Sequence, residues 1–362
     1  MNKYILVDTC REEFNASFKA VDDIKEIAIK EGFIPLKLNM RRSKKKLIKR
    51  LQYIKYVFQD IKLFKKGIDG ENIVLVQIPA RFPNYIMLLY LFKLKQGNST
   101  VVAVVHDVEQ LRYDIHFIFS KIERIIYSKM DKIVVHNDRM KKYFIEFGIP
   151  KEKVFCIEIF DYLIANKLEK RKIDRITHSI AIAGNLDFSK AGYIYKLGQL
   201  DTSDIVFNLY GNNYKEMICK NVVYRGKFAS DKIPEILHDS DNMFGLVWDG
   251  DSLEECSGKI GQYQKYNNPH KLSLYIASGL PVIVWKKSAS YQFVKNNNIG
   301  IGIDTLKEIQ SCINDVSKEK YDVMQENVYR IGQQLRSGGY TKRALKKLSD
   351  NRKSERKKCI YW

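Results

Sequence analysis

No run of about 18 uncharged apolar residues occurs in this chain of 362 residues, which excludes a membrane-spanning helix. The opening MNKYILVDTC turns charged at once. Its apolar run is too short for a secretory signal, and no small-residue cleavage pattern follows, so a cytoplasmic protein is expected. Cysteine is sparse. The six cysteines, at 10, 156, 219, 256, 312 and 359, show no C-x-x-C spacing. They read as reduced thiols, without a disulfide frame or a zinc site. Neither G-x-G-x-x-G nor G-x-x-x-x-G-K-[ST] is present, so there is no dinucleotide fingerprint and no P-loop. An RNP motif, a zinc finger and a helix-turn-helix signal are also missing, and the lysine runs lack interleaved aromatics.

What is abundant is apolar residues and positive charge. Hydrophobic residues make up 45% and aromatics 12%, enough for packed cores and too many for general disorder. Lys plus Arg number 62 against 42 Asp plus Glu, a net charge of +20. Such an excess favours anionic partners and says nothing about fold. It is clustered at Arg41, Arg42, Lys44, Lys45, Lys46, Lys49 and Arg50, followed by Lys62, Lys65 and Lys66. It returns at Lys346, Lys347, Arg352, Lys353, Arg356, Lys357 and Lys358.

Short apolar runs alternate with helical spacing. Strands are predicted at 4–8, 33–38, 73–77, 101–106 and 132–136, with helices at 15–30, 84–94 and 138–147. The stretch 161–175 reads as a connector. Strands then resume at 178–183, 205–210, 222–224, 243–248 and 281–285, with helices at about 191–197, 231–239, 269–278 and 290–297. Residues 309–348 read as mostly helical and basic. Near-continuous apolar strands separated by helices imply parallel sheets covered on both faces. The expectation is α/β, with two Rossmann-like doubly wound domains at 1–165 and 176–328 facing a central cleft. A basic helical tail at 329–362 would cross back to the first domain. In open parallel sheets ligands bind beyond the carboxyl ends of the strands, so functional residues should follow strands.

Four segments meet that condition. In NNPHKLSLYIASGLPVIV (267–284), Asn268 is the expected N-cap and Pro269 the first helical residue. His270 and Lys271 then fall in the first turn, where cations are disfavoured unless an anion docks on the backbone N–H groups. The plain alternative is that Lys271 extends into solvent. DGDSLEECSGKIGQ (249–262) holds the D-x-D pair Asp249 and Asp251, a pattern that can hold a metal on a diphosphate; it equally suits a solvated loop. Gly184 and Asn185, with Lys190 beyond them, let backbone approach a phosphate or form a simple turn. In the first half, His106, Asp107 and Glu109 are candidate general bases. Asp107 as a helix cap and His106 as a core residue are the alternatives. Thr9, Arg81 and Arg112 stand on the same strand-end rim as candidate acceptor contacts. Cys10 has no obvious His partner nearby in sequence, so no thiol nucleophile is proposed.

The chain resembles the bacterial galactofuranosyltransferase/glucosyltransferase family of GT-B fold, used in surface polysaccharide and glycoprotein assembly. The resemblance rests on VVHDVEQLR (104–112), IAGNLDFSKAGY (182–193), LYGNN (209–213), VYRGKF (223–228), FGLVWDGD (244–251), YNNPHKLSLYIASGLPVIVW (266–285) and GYTKRAL (339–345), and spans nearly the whole chain. It implies a UDP-sugar held mainly by the second domain and a saccharide acceptor held mainly by the first. No cofactor and no metal are implied, because protein cations and helix dipoles neutralise the diphosphate. The family's nucleotide-binding lysine falls on Lys271, and its tyrosine before an arginine falls on Tyr224. A family arginine after Gly-Asn is replaced by Asp187-Phe188-Ser189, with Lys190 as the substitute. Ser273 and Leu274 follow Lys271, so the Glu-x7-Glu element of retaining relatives is absent, which favours inversion.

The implied mechanism has Asp107 or His106 take the acceptor proton while Lys271 and the helix start stabilise departing UDP. The basic clusters suit an anionic membrane surface, at about 1 kcal/mol per basic residue near the surface. The acceptor would then be an undecaprenyl-diphosphate-linked or glycoprotein glycan, and the enzyme peripheral on the inner face of the cytoplasmic membrane. Relatives can self-associate, so a homo-oligomer is admitted. The rival readings are a catalytically inactive GT-B scaffold assisting a partner enzyme and a basic nucleic-acid-binding protein. With no nucleic-acid motif present, nucleic acid is not an expected partner.

Overall fold

The computed structural model describes residues 2–8, 18–38, 55–64, 70–80, 82–172, 177–202, 204–217 and 219–348. Thr9, Arg81, Cys10 and the basic runs at 41–50 and 352–358 lie outside the described residues. The chain divides into two compact units. The first is built on Val21–Ile157, with the strand at 3–8 and the residues from Thr341 onward. The second is built on Glu158–Tyr340. The helix Lys318–Arg336 belongs to the second unit, while residues 341–348 group with the first.

The first unit is one parallel sheet of six strands: β1 (Lys3–Asp8), β2 (Ile34–Leu38), β3 (Ile73–Ile78), β4 (Thr100–Val105), β5 (Lys132–Val135) and β6 (Val154–Cys156), in the order β2-β1-β3-β4-β5-β6. The second unit repeats the plan with β7 (Ser179–Asn185), β8 (Val206–Asn212), β9 (Val222–Gly226), β10 (Phe244–Val247), β11 (Val282–Trp285) and β12 (Gly300–Ile303), in the order β12-β11-β10-β7-β8-β9. The central strands are apolar on both faces because helices cover both. Every residue of β5, β10 and β11 is buried.

Each sheet has a place where the chain turns from building one way to building the other. In the second unit it lies between β7 and β10; in the first, between β1 and β3. At such a switch point the connections leave in opposite directions and open a crevice beyond the carboxyl ends of the strands.

The fold departs from the sequence expectations in particulars. Strands β6 and β12 were not expected; VFC and GIGI are too short and too glycine-rich to signal themselves. His106 lies just beyond β4, its N–H donating to Ile78 O at 2.7 Å. The helical stretch expected at 191–197 is a tighter 3-10 segment, Gly192–Gln199. The stretch read as a connector is packed at Arg171. Arg171 is buried in the second unit and its guanidinium donates to the carbonyls of His238, Ser240 and Asn242. A buried guanidinium is costly to leave unpaired, and three carbonyls of one loop take one bond from each of its three nitrogens.

Candidate active site

The switch point of the second unit lies between the end of β7, with Gly184 and Asn185, and β10, over which the helix carrying Lys271 packs. Helix His270–Ala277 packs over β10 with Tyr275 lying on Gly245, where an added Cβ would meet the ring Cγ at 2.2 Å. Tyr275 then reaches β7, its hydroxyl accepting from Ala183 N at 2.7 Å. This glycine–tyrosine fit sets the height of the helix above the sheet and so the position of its first turn.

In that first turn Lys271 points back to the end of β10. Its Nζ donates to Trp248 O and to Asp249 Oδ1, both at 2.8 Å. The second oxygen, Asp249 Oδ2, accepts from Gln264 at 3.0 Å. Both charges are largely withdrawn from water, with side-chain exposures of 13% for Lys271 and 7% for Asp249. The sequence offered two readings for this cation, an external anion or solvent. The chain itself supplies an anion, which is why a lysine is tolerated at the positive end of a helix. An ammonium has three N–H donors, and these two bonds use two.

Pro269, not Asn268, is the N-cap, and no side chain caps this helix. The expectation for Asn268 fails because its amide is engaged elsewhere, donating to Glu158 O and lying 3.5 Å from the Ser290 hydroxyl. His270 Nε2 lies 3.4 Å from Asp161 O, with its ring stacked on Tyr162 at 4.9 Å, and Ser273 donates to Phe160 O at 2.6 Å. Asn268, His270 and Ser273 therefore fasten the segment 158–162 along the helix.

The two carboxylates of the D-x-D pair diverge. Asp249 faces Lys271, while Asp251 accepts from the Ser257 hydroxyl at 2.5 Å, which holds its carboxyl below the usual carboxylate range. Among the described residues no group of three or more His, Cys, Asp or Glu is placed to hold a metal ion. On the β7 side, Gly184 has φ +125° and its carbonyl faces Gly211 so closely that a Cβ there would lie 1.8 Å away. Asn185 turns inward to its own loop, accepting from Asp187 N at 3.1 Å and from Asn213 at 2.9 Å. Asp187 caps the short helix Phe188–Ala191 that carries Lys190. Tyr224 stands on the edge strand β9, two strands from β7; its hydroxyl donates to Gly211 O at 2.9 Å. Its ring closes a row with Tyr214, Tyr195 and Phe188 at centroid spacings of 5.2, 5.7 and 5.6 Å.

In the first unit, the loop after β4 holds the candidate bases. Asp107 is ion-paired with Arg112. His106 Nε2 lies 2.7 Å from Gln77 Oε1, while the Gln77 amide nitrogen donates to Val21 O at 3.1 Å. With Gln77 so oriented its oxygen is an acceptor, so the imidazole carries its proton on Nε2.

Comparison with known proteins decides what this arrangement belongs to. A family model described as Glucosyltransferase 3-like, C-terminal domain, matches residues 180–348, and its N-terminal counterpart matches residues 3–159. The chain belongs to the glucosyltransferase 3-like family. It is 31% identical to the beta-1,6-galactofuranosyltransferase WbbI of Escherichia coli (strain K12), over 83% of this chain and 87% of that one. It is 22% identical to glucosyltransferase 3 of Streptococcus gordonii, over 77% and 79% of the two chains. In fold it is similar to HepE of Anabaena, solved in complex with UDP, with a TM-score of 0.64 and 12% identity over 96% of this chain and 100% of that one. The protein is thus a glycosyltransferase of GT-B fold.

Two residues of this glycosyltransferase escaped the sequence reading. Gln77 fixes the tautomer of His106, 29 positions away. Glu123, buried on helix Phe117–Ser128, accepts from the backbone N–H groups of Glu109 and Gln110 at 3.0 and 3.2 Å. Tyr127 shares the carboxylate at 3.3 Å and reaches Asp107 O at 3.5 Å. Burial raises the Glu123 carboxyl to about 6 against the pull of these bonds. No local pattern announces either residue, because each acts through backbone or amide groups distant in sequence.

Proposed function

We propose that the enzyme transfers a hexose, galactofuranose or glucose, from a UDP-sugar to a saccharide acceptor in cell-surface polysaccharide or glycoprotein assembly, with inversion and without a metal. The observation that carries the donor assignment is Lys271 at the first turn of helix His270–Ala277, beside the switch point of the second unit. Its remaining N–H, the uncapped helix start and the end of β7 at Gly184 and Asn185 suit a diphosphate. Asp249 keeps the ammonium aimed, Lys190 adds charge from the β7 side, and Tyr224 offers an aromatic face for the base. Asn268 and His270 act by holding the helix start in place. WbbI by name transfers galactofuranose, glucosyltransferase 3 glucose, and HepE was solved with UDP.

To the first unit we assign acceptor binding and proton removal. Arg112 is its described acceptor candidate; Thr9 and Arg81 complete that assignment. His106 or Asp107 takes the proton of the acceptor hydroxyl as its oxygen bonds to the anomeric carbon. The bond from that carbon to the UDP oxygen breaks with its electrons, and Lys271 with the helix N-terminus stabilises the charge released. Metal independence is supported by the fit of the residues, since Asp249 and Asp251 are turned to Lys271 and Ser257 and an ammonium supplies the cation. The net charge of +20 supports work at the inner face of the cytoplasmic membrane on an undecaprenyl-diphosphate-linked or glycoprotein glycan.

UDP release measured with UDP-glucose, UDP-galactose, UDP-galactofuranose and UDP-N-acetylglucosamine tests the reading. Release from one of the hexose donors is expected. A chain that binds UDP in calorimetry but releases none from any donor would instead be an inactive scaffold.

A further inference from the structure

Three helices of the first unit pack in a row. Residues 55–64 meet helix Asn84–Gln96 through Phe64, whose ring lies 5.2 Å from that of Tyr90, and through Asp60, which accepts from the Tyr90 hydroxyl at 2.6 Å. Helix Asn84–Gln96 in turn packs against helix Phe117–Ser128. A surface helix ordinarily turns polar residues outward. These do not. Helix Asn84–Gln96 buries Ile86, Met87, Tyr90, Leu91 and Leu94, yet its opposite face presents Tyr85, Leu89 and Phe92 at 53%, 48% and 63% exposure. Helix Phe117–Ser128 presents Phe117, Ile118 and Phe119 at 60%, 49% and 55%, and Phe58 of the first helix stands at 63%.

The charge on the same helices has one sign outward. Lys55, Lys62, Lys93, Lys121 and Arg124 lie on them, with Lys95, which pairs with Asp131 outside the row. Their only carboxylates, Asp60 and Glu123, are buried at 0% and 2% exposure. Exposed apolar side chains interleaved with cations, with no exposed acid within the described residues of these three helices, match one kind of surface. Aromatic and aliphatic groups enter the boundary between headgroups and acyl chains while Lys and Arg meet lipid phosphates. A second copy of the same face would set cation against cation. A nucleic acid would satisfy the cations and leave Leu89 and Ile118 in water.

We propose that this three-helix face is the docking surface for an anionic phospholipid bilayer. The proposal deepens the membrane placement given above and rests on that placement, not on the donor site. In the sequence the Arg41–Arg50 cluster runs just ahead of the first of these helices, so further positive charge enters the same region of the chain.

The full-length chain should sediment with vesicles of phosphatidylcholine and phosphatidylglycerol at low salt and not with phosphatidylcholine alone. Replacing Phe92 and Phe117 together by Ser should lower that partition by roughly tenfold per side chain, with UDP affinity unchanged in calorimetry. In a separate variant, Phe92→Trp, the indole emission should shift to shorter wavelength on adding the anionic vesicles and stay put with neutral ones. Wild-type sedimentation retained in the double variant, or no spectral shift at position 92, would overturn the assignment of this face. So would a wild-type dimer in sedimentation velocity that the double variant converts to monomer. Failure of the chain to bind UDP would strike the donor reading and leave the vesicle result standing.

Discussion

Lys271 does two things at one position, and its variants must be read with both in view. It is the cation assigned to the donor diphosphate, and it neutralises Asp249. Removing one partner of a buried pair leaves the other uncompensated, at a cost of about 3 kcal/mol or more. Asp249→Ala should therefore lower unfolding stability by about that amount in urea titration. Lys271→Ala should do the same and also weaken UDP binding by at least about tenfold, a loss of one charge-assisted contact. UDP affinity in calorimetry equal to wild type would remove Lys271 from the donor site whatever the stability change. Gly245 is a second sensitive position. The Cβ of Gly245→Ala would sit 2.2 Å from the Tyr275 ring, and relieving that overlap should cost about 1–3 kcal/mol, seen as a lower Tm. A wild-type Tm would mean that the helix height is not set by this contact.

At the scale of elements, the loop after β4 depends on the long helix that follows it in the chain. Glu123 anchors residues 107–110 from helix Phe117–Ser128. Its carboxyl is raised to about 6 by burial, above the ordinary 4.5. The folded state thus holds this proton more tightly than the unfolded chain does. The associated stability is complete below about pH 4.5 and is lost as pH rises through 6, amounting to about 2 kcal/mol. Glu123→Gln removes the titration, so the stability of wild type relative to that variant should fall between pH 4.5 and 6 and level off above. A flat difference across that range would refute the raised carboxyl. The same variant loosens the loop carrying His106 and Asp107, so turnover should fall with little change in the KM for the UDP-sugar.

At the scale of the whole molecule, two compact units with separate sheets make ligand effects local. UDP should slow hydrogen exchange at amides 184–187 and 270–272 in the second unit; no protection at either segment would contradict the placement of the diphosphate. Because the ion pair occupies the D-x-D loop, transfer should persist in excess EDTA. Activity lost to EDTA and restored by Mn2+ would show that a metal, not Lys271, carries the charge.

The alternation of apolar runs with helical spacing was enough to establish two parallel α/β sheets, because a strand buried on both faces must be apolar along its length whatever surrounds it. Runs such as VVAVV and VIVW state this directly. The same local chemistry singled out the segment around Lys271 as a candidate, since a cation at a helix start is locally unfavourable unless an anion meets it. Which anion was a matter for the tertiary structure alone. Asp249 lies 22 residues away, and only the order β10-β7 and the fit of Tyr275 on Gly245 bring the two together. Gln77 behind His106, Glu123 beneath Asp107, and the engagement of Asn268 by Glu158 O were equally invisible. Each depends on where two distant backbones pass one another, and the periodicity of a sequence carries information about burial along one element, not about which element lies alongside.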